Sequence, residues 1–270
     1  MALLTVGRLL SPFPPNLPKP RYFAAPQTRP GDTIKNPDWL VWRTEQTASP
    51  CAANLAMSPY ANGDPHVRWQ IMCGLVTDEF SGNDATKYGE LHEPRLRAIA
   101  RRVLGPEISI EEYGLFRDAV FKWIGISPDG ITNAIRIEGT QPYYDDEAQE
   151  WRLHSFNLTT GKIMYEAKCS PNNEYKHPQV SHLYQIHCQM RVAQRYATIL
   201  HYWSRDRTRM FFIPFSRDFW AWMEPRMILM HEHVQRRVPL FVLDATGAPI
   251  QGSNPFFNWL INTERGPKAY

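Results

Sequence analysis

Two carboxylates and one ammonium in this chain are spaced so that they could share a reaction. Asp129 lies in Ser127-Pro128-Asp129-Gly130, and Glu166 and Lys168 flank Ala167 within the run Met164 to Ser170. Side chains two apart on a strand project from the same face, so a strand through 164–168 sends Glu166 and Lys168 into one cleft. If Asp129 ends a neighbouring strand, its carboxylate meets that of Glu166, and the two repel unless a cation lies between them. Hard oxygen ligands with open water positions suit Mg²⁺ or Mn²⁺, which lower the pKa of a bound water and neutralise a phosphate. Taken singly, Asp-Gly is a common turn and Glu-x-Lys a common surface pair. Glu93 adds a third carboxylate, on the apolar stripe of Leu96, Ala100 and Val103, where it needs a partner or a job.

These residues must be positioned by regular elements. A short helix after Thr47-Ala48-Ser49, capped by Thr47 or Ser49, and a second through 66–75 ending at Gly74 lead to a third helix over 88–107. In that third helix Pro94 suits the first turn and Gly105-Pro106 the stop. Residues 114–130 read as one or two strands ending at the Asp129-Gly130 turn, followed by a polar stretch, 131–151, that looks inserted. Residues 153–170 read as a hairpin about Thr159-Thr160-Gly161-Lys162, and 181–203 as one long helix with Gln185 and Gln189 together beside its apolar stripe. A strand over 209–215 and a helix over 217–237 follow. The order predicts an α/β or α+β layer fold with a small mixed central sheet flanked by helices.

The 270 residues, 43% of them hydrophobic, can bury one full core, and the formal charge of +3 is too mild to announce a nucleic-acid binder. The first 31 residues lack Asp and Glu, and eight of the chain's 23 prolines lie between Pro12 and Pro37. Such a stretch cannot hold the amphipathic helix of a transit peptide, so the expected organisation is a Pro-rich basic arm over 1–38 and one domain over 39–270. Four cysteines without paired spacing predict a reducing compartment, intracellular and either cytoplasmic or nuclear, and no apolar run suits a membrane. Arg95, Arg97, Arg101 and Arg102 could follow a DNA backbone or form a solvated helix face. Trp151, Trp203, Trp220 and Trp222 could stack on bases, though aromatics at helical spacing are more often core, and His187 is a further candidate for DNA contact.

The motifs together resemble the PD-(D/E)XK nucleases, and within them the YqaJ and lambda-exonuclease type. The resemblance rests on Thr47-Ala48-Ser49, Ser58-Pro59-Tyr60, Trp69, Gly74-Leu75, Gly89 to Glu93-Pro94, Asp129, Glu166-Ala167-Lys168 and the helix around Gln185, in that order. It implies a restriction-endonuclease-like core and Mg²⁺, with Mn²⁺ substituting, held by Asp129, Glu166 and the Ala167 carbonyl. It further implies a second ion or its water on Glu93, Lys168 serving the attacking water, and Gln185 positioning Lys168 or the cleaved strand. Ser49 or Arg43 would grip a terminal 5′-phosphate. Two departures stand out: Arg43 lies one residue too close to Thr47, and the segment from Asp129 to Glu166 is long.

The expected function is a 5′-to-3′ exonuclease on linear double-stranded DNA that exposes 3′ single strands for recombination by annealing. DNA ends, a single-strand annealing protein and copies of the chain itself would be its partners. The alternatives are an endonuclease or RNA-degrading relative on the same core, and a catalytically silent protein that binds DNA ends.

Overall fold

The computed structural model describes residues 13–23, 46–55, 57, 64–77, 84–145, 148–171, 175–204, 207–240 and 244–246; for 85–86, 134–145 and 151–160 the backbone alone is described. Nine strands form two sheets among these residues. The smaller has the order β1 (Arg21–Phe23), β4 (Leu115–Arg117), β5 (Ile124–Ile126), β2 (Gln46–Thr47). The larger runs β3 (Ile110–Glu111), β6 (Gly130–Asp145), β7 (Glu150–Cys169), β8 (Ala197–Ser204), β9 (Arg207–Pro214). Among the described residues only the pairs β2/β5 and β7/β8 are parallel. The helices are α1 (Cys51–Asn54), α2 (Pro65–Met72), α3 (Asp84–Leu104), α4 (Val180–Ala193) and α5 (Arg217–Arg236). This is the mixed α/β layer arrangement that the sequence predicts.

Strand alternation sorts the larger sheet into two faces. Met164, Leu200, Tyr202 and Ile213 pack with Leu183, Ile186 and Met190 of α4 and with Phe219, Met223 and Met227 of α5. Ile163, Tyr165, Ile199 and Phe212 pack instead with Ala100 of α3 and with Ile108 and Ile110. Helices therefore cover both faces, and α4 supplies the crossover that joining parallel β7 and β8 requires. A buried ion pair pins α4 to the smaller sheet: Arg191 donates to Asp118 Oδ2 at 2.8 Å. Asp118 Oδ1 accepts from the Val120 and Phe121 N–H groups and so closes the β4–β5 turn. At the start of α4, Tyr202 Oη accepts from the Gln179 N–H at 3.0 Å and bonds His182 Nδ1 at 2.9 Å.

Four local expectations are corrected. The Thr159-to-Lys162 signal makes no hairpin turn; β7 runs through it, and the β6–β7 register shifts opposite it, between Ile131 and Arg136. A bulged register uses the same permissive backbone as a turn without reversing the chain. The β6–β7 pairing instead ends at Asp145↔Glu150, next to Gln149, whose φ is 53°. The expected helix 181–203 stops at Ala193, where Gln194 takes the left-handed conformation (φ 53°); the β-branched and aromatic run after it becomes β8. Pro94 sits inside α3 and not in its first turn, and Val103 is 61% exposed, so only Leu96 and Ala100 of the proposed stripe are buried. Finally, Pro50 precedes α1 without any side-chain cap from Thr47 or Ser49.

From the basic arm, β1 pairs antiparallel with β4, and the Phe13 ring lies 4.8 Å from that of Phe215. No helix among the described residues is long and apolar enough to cross a membrane.

Candidate active site

Asp129 lies in the link between β5 and β6, one residue before the β6–β7 ladder begins at Gly130↔Tyr165. Its Oδ2 accepts a 2.7 Å hydrogen bond from the Ala167 N–H, which holds the half-buried carboxyl against the strand carrying Glu166. Gly130 permits this crossing. A Cβ there would lie 2.5 Å from Ile110 Cγ2 and 3.3 Å from the Glu111 carbonyl oxygen, so any larger residue would push β6 off β3.

Glu166 is only 2% exposed, and three donors reach its carboxylate. Lys168 Nζ donates to Oε1 at 2.7 Å, and from α4 Gln185 Nε2 donates to Oε1 at 2.6 Å and Gln189 Nε2 to Oε2 at 2.9 Å. The two glutamines, one helical turn apart, reach the same carboxylate because α4 lies over the face of β7 that Glu166 and Lys168 share. Three donors on one buried carboxylate satisfy the acceptor oxygens that burial removes from water. Gln185 thus bonds Glu166 and not Lys168 itself.

Glu93 approaches from α3. Arg97, one turn later, donates to Glu93 Oε1 at 3.0 Å and to the Asp129 carbonyl at 3.3 Å, and also pairs with Glu112. One guanidinium therefore ties α3 to the Asp129 link. Burial, then Glu166 and then Glu93 push the Asp129 carboxyl well above the usual carboxylate range, against the opposing pull of Lys168 and the Ala167 N–H. Burial alone would depress the Lys168 pKa, but Glu166 and Asp129 outweigh it and hold the group above its ordinary value, as an ammonium. Burial, with Asp129 and Glu93, pushes the Cys169 thiol up to about 12, so it stays protonated and unreactive.

The crowding of Asp129 by Glu166 and Glu93 is the signature of a place where a divalent cation would relieve repulsion. Among the described residues no three His, Cys, Asp or Glu side chains come close enough to enclose an ion by themselves. Two carboxylates with a backbone oxygen and water suit Mg²⁺, which keeps several waters and takes one or two carboxylates. The residues present fit such an ion.

The structure therefore brings together Asp129, Glu166, Ala167, Lys168 and Gln185, with Glu93 joined through Arg97. Ser49 is exposed just beyond β2, at the sheet end where parallel β5 leads toward Asp129. Arg43 lies outside the described residues. Arg95 is exposed, its guanidinium 5.1 Å from the Trp203 ring centroid. Arg97 does not lie on a solvated face, since it is buried, whereas Arg101 and Arg102 are exposed, with Arg101 also donating to the Ile110 carbonyl. His187 is fully buried, which removes it as a DNA contact. Sequence reasoning gave Gln189 and Arg97 no role at the site. The four-residue spacing from Gln185 was the available signal for the first, whereas nothing in the sequence joins Arg97 to Asp129.

Comparison with known proteins bears on this arrangement. The chain resembles the crystal structure of an alkaline exonuclease, LHK-Exo, from Laribacter hongkongensis, with a TM-score of 0.54 and 18% identity over 75% of this chain and 94% of that one. The same enzyme in complex with dAMP matches with a TM-score of 0.53 and 16% identity, over 73% and 91% of the two chains. At such identities the likeness establishes the fold. None of the curated proteins matches the chain. The family model of the YqaJ-like viral recombinase domain matches residues 38–195, a span that holds the Asp129 link, the Glu166-Lys168 strand and the Gln185 helix. With more than half its length matched, carrying every element of the cleft, the chain belongs to the YqaJ-like viral recombinase domain family, on the fold of an alkaline exonuclease.

Proposed function

We propose that the chain is a metal-dependent deoxyribonuclease that degrades linear duplex DNA from its ends in the 5′-to-3′ direction, leaving 3′ single strands for annealing. The observation that carries this reading is Glu166, held by Lys168, Gln185 and Gln189 on the strand against which the Asp129 carboxyl is fixed. Asp129, Glu166 and the Ala167 carbonyl would hold Mg²⁺ or Mn²⁺, with Glu93 serving a second ion or its water. When bound, a divalent ion supplies a lowered pKa for water and charge neutralisation for the phosphate.

The protein's own groups do the rest. Lys168 commits one N–H to Glu166 Oε1 and has others to orient the attacking water and steady the extra charge of the in-line transition state. Gln185 and Gln189 keep Glu166 from turning away, and Arg97 keeps Glu93 and the Asp129 link in one position. The nucleotide complex of the similar exonuclease supports a mononucleotide as product. Polarity, the 5′-phosphate grip of Ser49 or Arg43, an annealing-protein partner and self-assembly rest on analogy with the family and form part of the proposal.

Digestion of linear duplex bearing a 5′-phosphate or a 5′-hydroxyl, with Mg²⁺ and with chelator, beside a closed circle, tests it. Metal-dependent loss of the phosphorylated linear substrate is expected, and Asp129→Ala and Lys168→Ala should each reduce it at least about 100-fold. Cutting of the circle would point to an endonuclease. End binding without cleavage would point to a silent end-binding protein.

A further inference from the structure

Outside the carboxylate cleft, three rings and a guanidinium gather where α3 passes the C-terminal end of β8. Tyr88, His92 and Arg95 are spaced by four and three residues and share one face of α3. Tyr88 stacks on Trp203 with centroids 5.6 Å apart and planes at 11°, and His92 lies 4.4 Å from both rings. Arg95 covers the indole from the exposed side.

Trp203 is 4% exposed, yet it belongs to neither apolar cluster flanking the sheet. Tyr88 and His92 are only half-buried, so the stack opens outward. Its place is close to the cleft. Trp203 pairs with Cys169 and projects with it from the α3 face of the sheet, opposite Lys168, so the stack reaches the cleft along α3. His92 immediately precedes Glu93. Every nucleobase offers a π-face, so an aromatic surface binds bases with little regard to sequence, and an arginine at its rim meets the phosphate.

We propose that Tyr88, backed by Trp203 and flanked by His92 and Arg95, is a nucleobase-stacking site that holds a nucleotide of the DNA strand beside the phosphodiester to be cut. This rests on the nuclease reading and adds to it a second anchor, independent of any ion. The site should tolerate any base and fail when the base is missing.

The test uses the full chain carrying Asp129→Asn, alone or with Tyr88→Leu or Tyr88→Phe. Each is titrated with 5′-phosphorylated duplexes bearing 2-aminopurine, or an abasic residue, at successive terminal positions. Tyr88→Leu should weaken binding about tenfold and abolish quenching of 2-aminopurine at one position, while Tyr88→Phe keeps both. With the base removed at that position, the parent and Tyr88→Leu should bind alike. Equal weakening on intact and abasic DNA, or none on either, would overturn the stacking site. A parent that binds no duplex, together with native chain that cuts none, would overturn the nuclease reading as well. Cleavage by the native chain with Tyr88→Leu unaffected would remove the stacking site only.

Discussion

At the residue scale, the chemistry of the cleft depends on how one carboxylate is held. Glu166 is buried, and its three donors come from two different elements, so its orientation reports the distance between α4 and β7. Groups that orient a metal-binding carboxylate typically matter 10–100-fold to metal affinity or activity. Gln185→Ala is accordingly expected to reduce turnover by about 10–100-fold and to raise the Mg²⁺ concentration for half-maximal rate; a metal titration of the nuclease rate checks both. Unchanged turnover would show that Lys168 and Gln189 suffice. The glutamate–lysine pair and the shared face of the two glutamines were legible in the sequence because strand and helix periods fix them locally. Arg97 was not legible in this way. Its partners Glu112 and the Asp129 carbonyl meet it only through the packing of α3, and sequence spacing gives no hint of that.

At the scale of elements, the positioning of Asp129 hangs on one close crossing. Gly130 lets β6 pass against Ile110 and Glu111 of β3, and a methyl group there would collide with Ile110 Cγ2. Gly130→Ala should therefore destabilise the fold by about 1–3 kcal/mol and reduce activity beyond that loss, since Asp129 is the adjoining residue. Urea unfolding alongside the nuclease rate separates the two, and a variant of native stability and rate would contradict the crossing. The elements also show where local signals lose to tertiary ones. Thr159 to Lys162 carries the composition of a turn, but pairing with β6 keeps it extended, and the residues after Gln194 leave the helix because β7 and β9 offer them a buried ladder. Strand, helix and layer class were readable from hydrophobic period; which edge each run joins was not, since partners lie tens of residues away.

At the scale of the whole molecule, two histidines on different elements link folding to acidity. Burial lowers the pKa of His187 in α4 and of His201 in β8 to about 4 each. In the unfolded chain both titrate at about 6.5. Above that pH both states are neutral and stability is unaffected. Below it the unfolded chain takes up protons that the folded chain refuses, so stability falls by about 1.4 kcal/mol per pH unit for each histidine until pH approaches 4. Unfolding midpoints in urea at pH 7.5 and pH 5 should differ accordingly, and equal midpoints would count against it.

The β6–β7 hairpin has a consequence of its own. Among the described residues β3 joins β6 only at Ile131 and Thr132, and β8 joins β7 only from Met164, so the remainder is a two-stranded ribbon of about 40 Å. Its tip is the point of the pairing farthest from the cleft, and it falls between Asp129 on one side and Glu166 and Lys168 on the other. A break in the backbone there would divide the chain into two polypeptides, each with an incomplete set of acids and only the first with Glu93 and Asp129. Reunited along thirteen paired positions, the halves would restore the cleft, so the ribbon is a natural seam for building a two-piece reporter whose signal is hydrolysis itself.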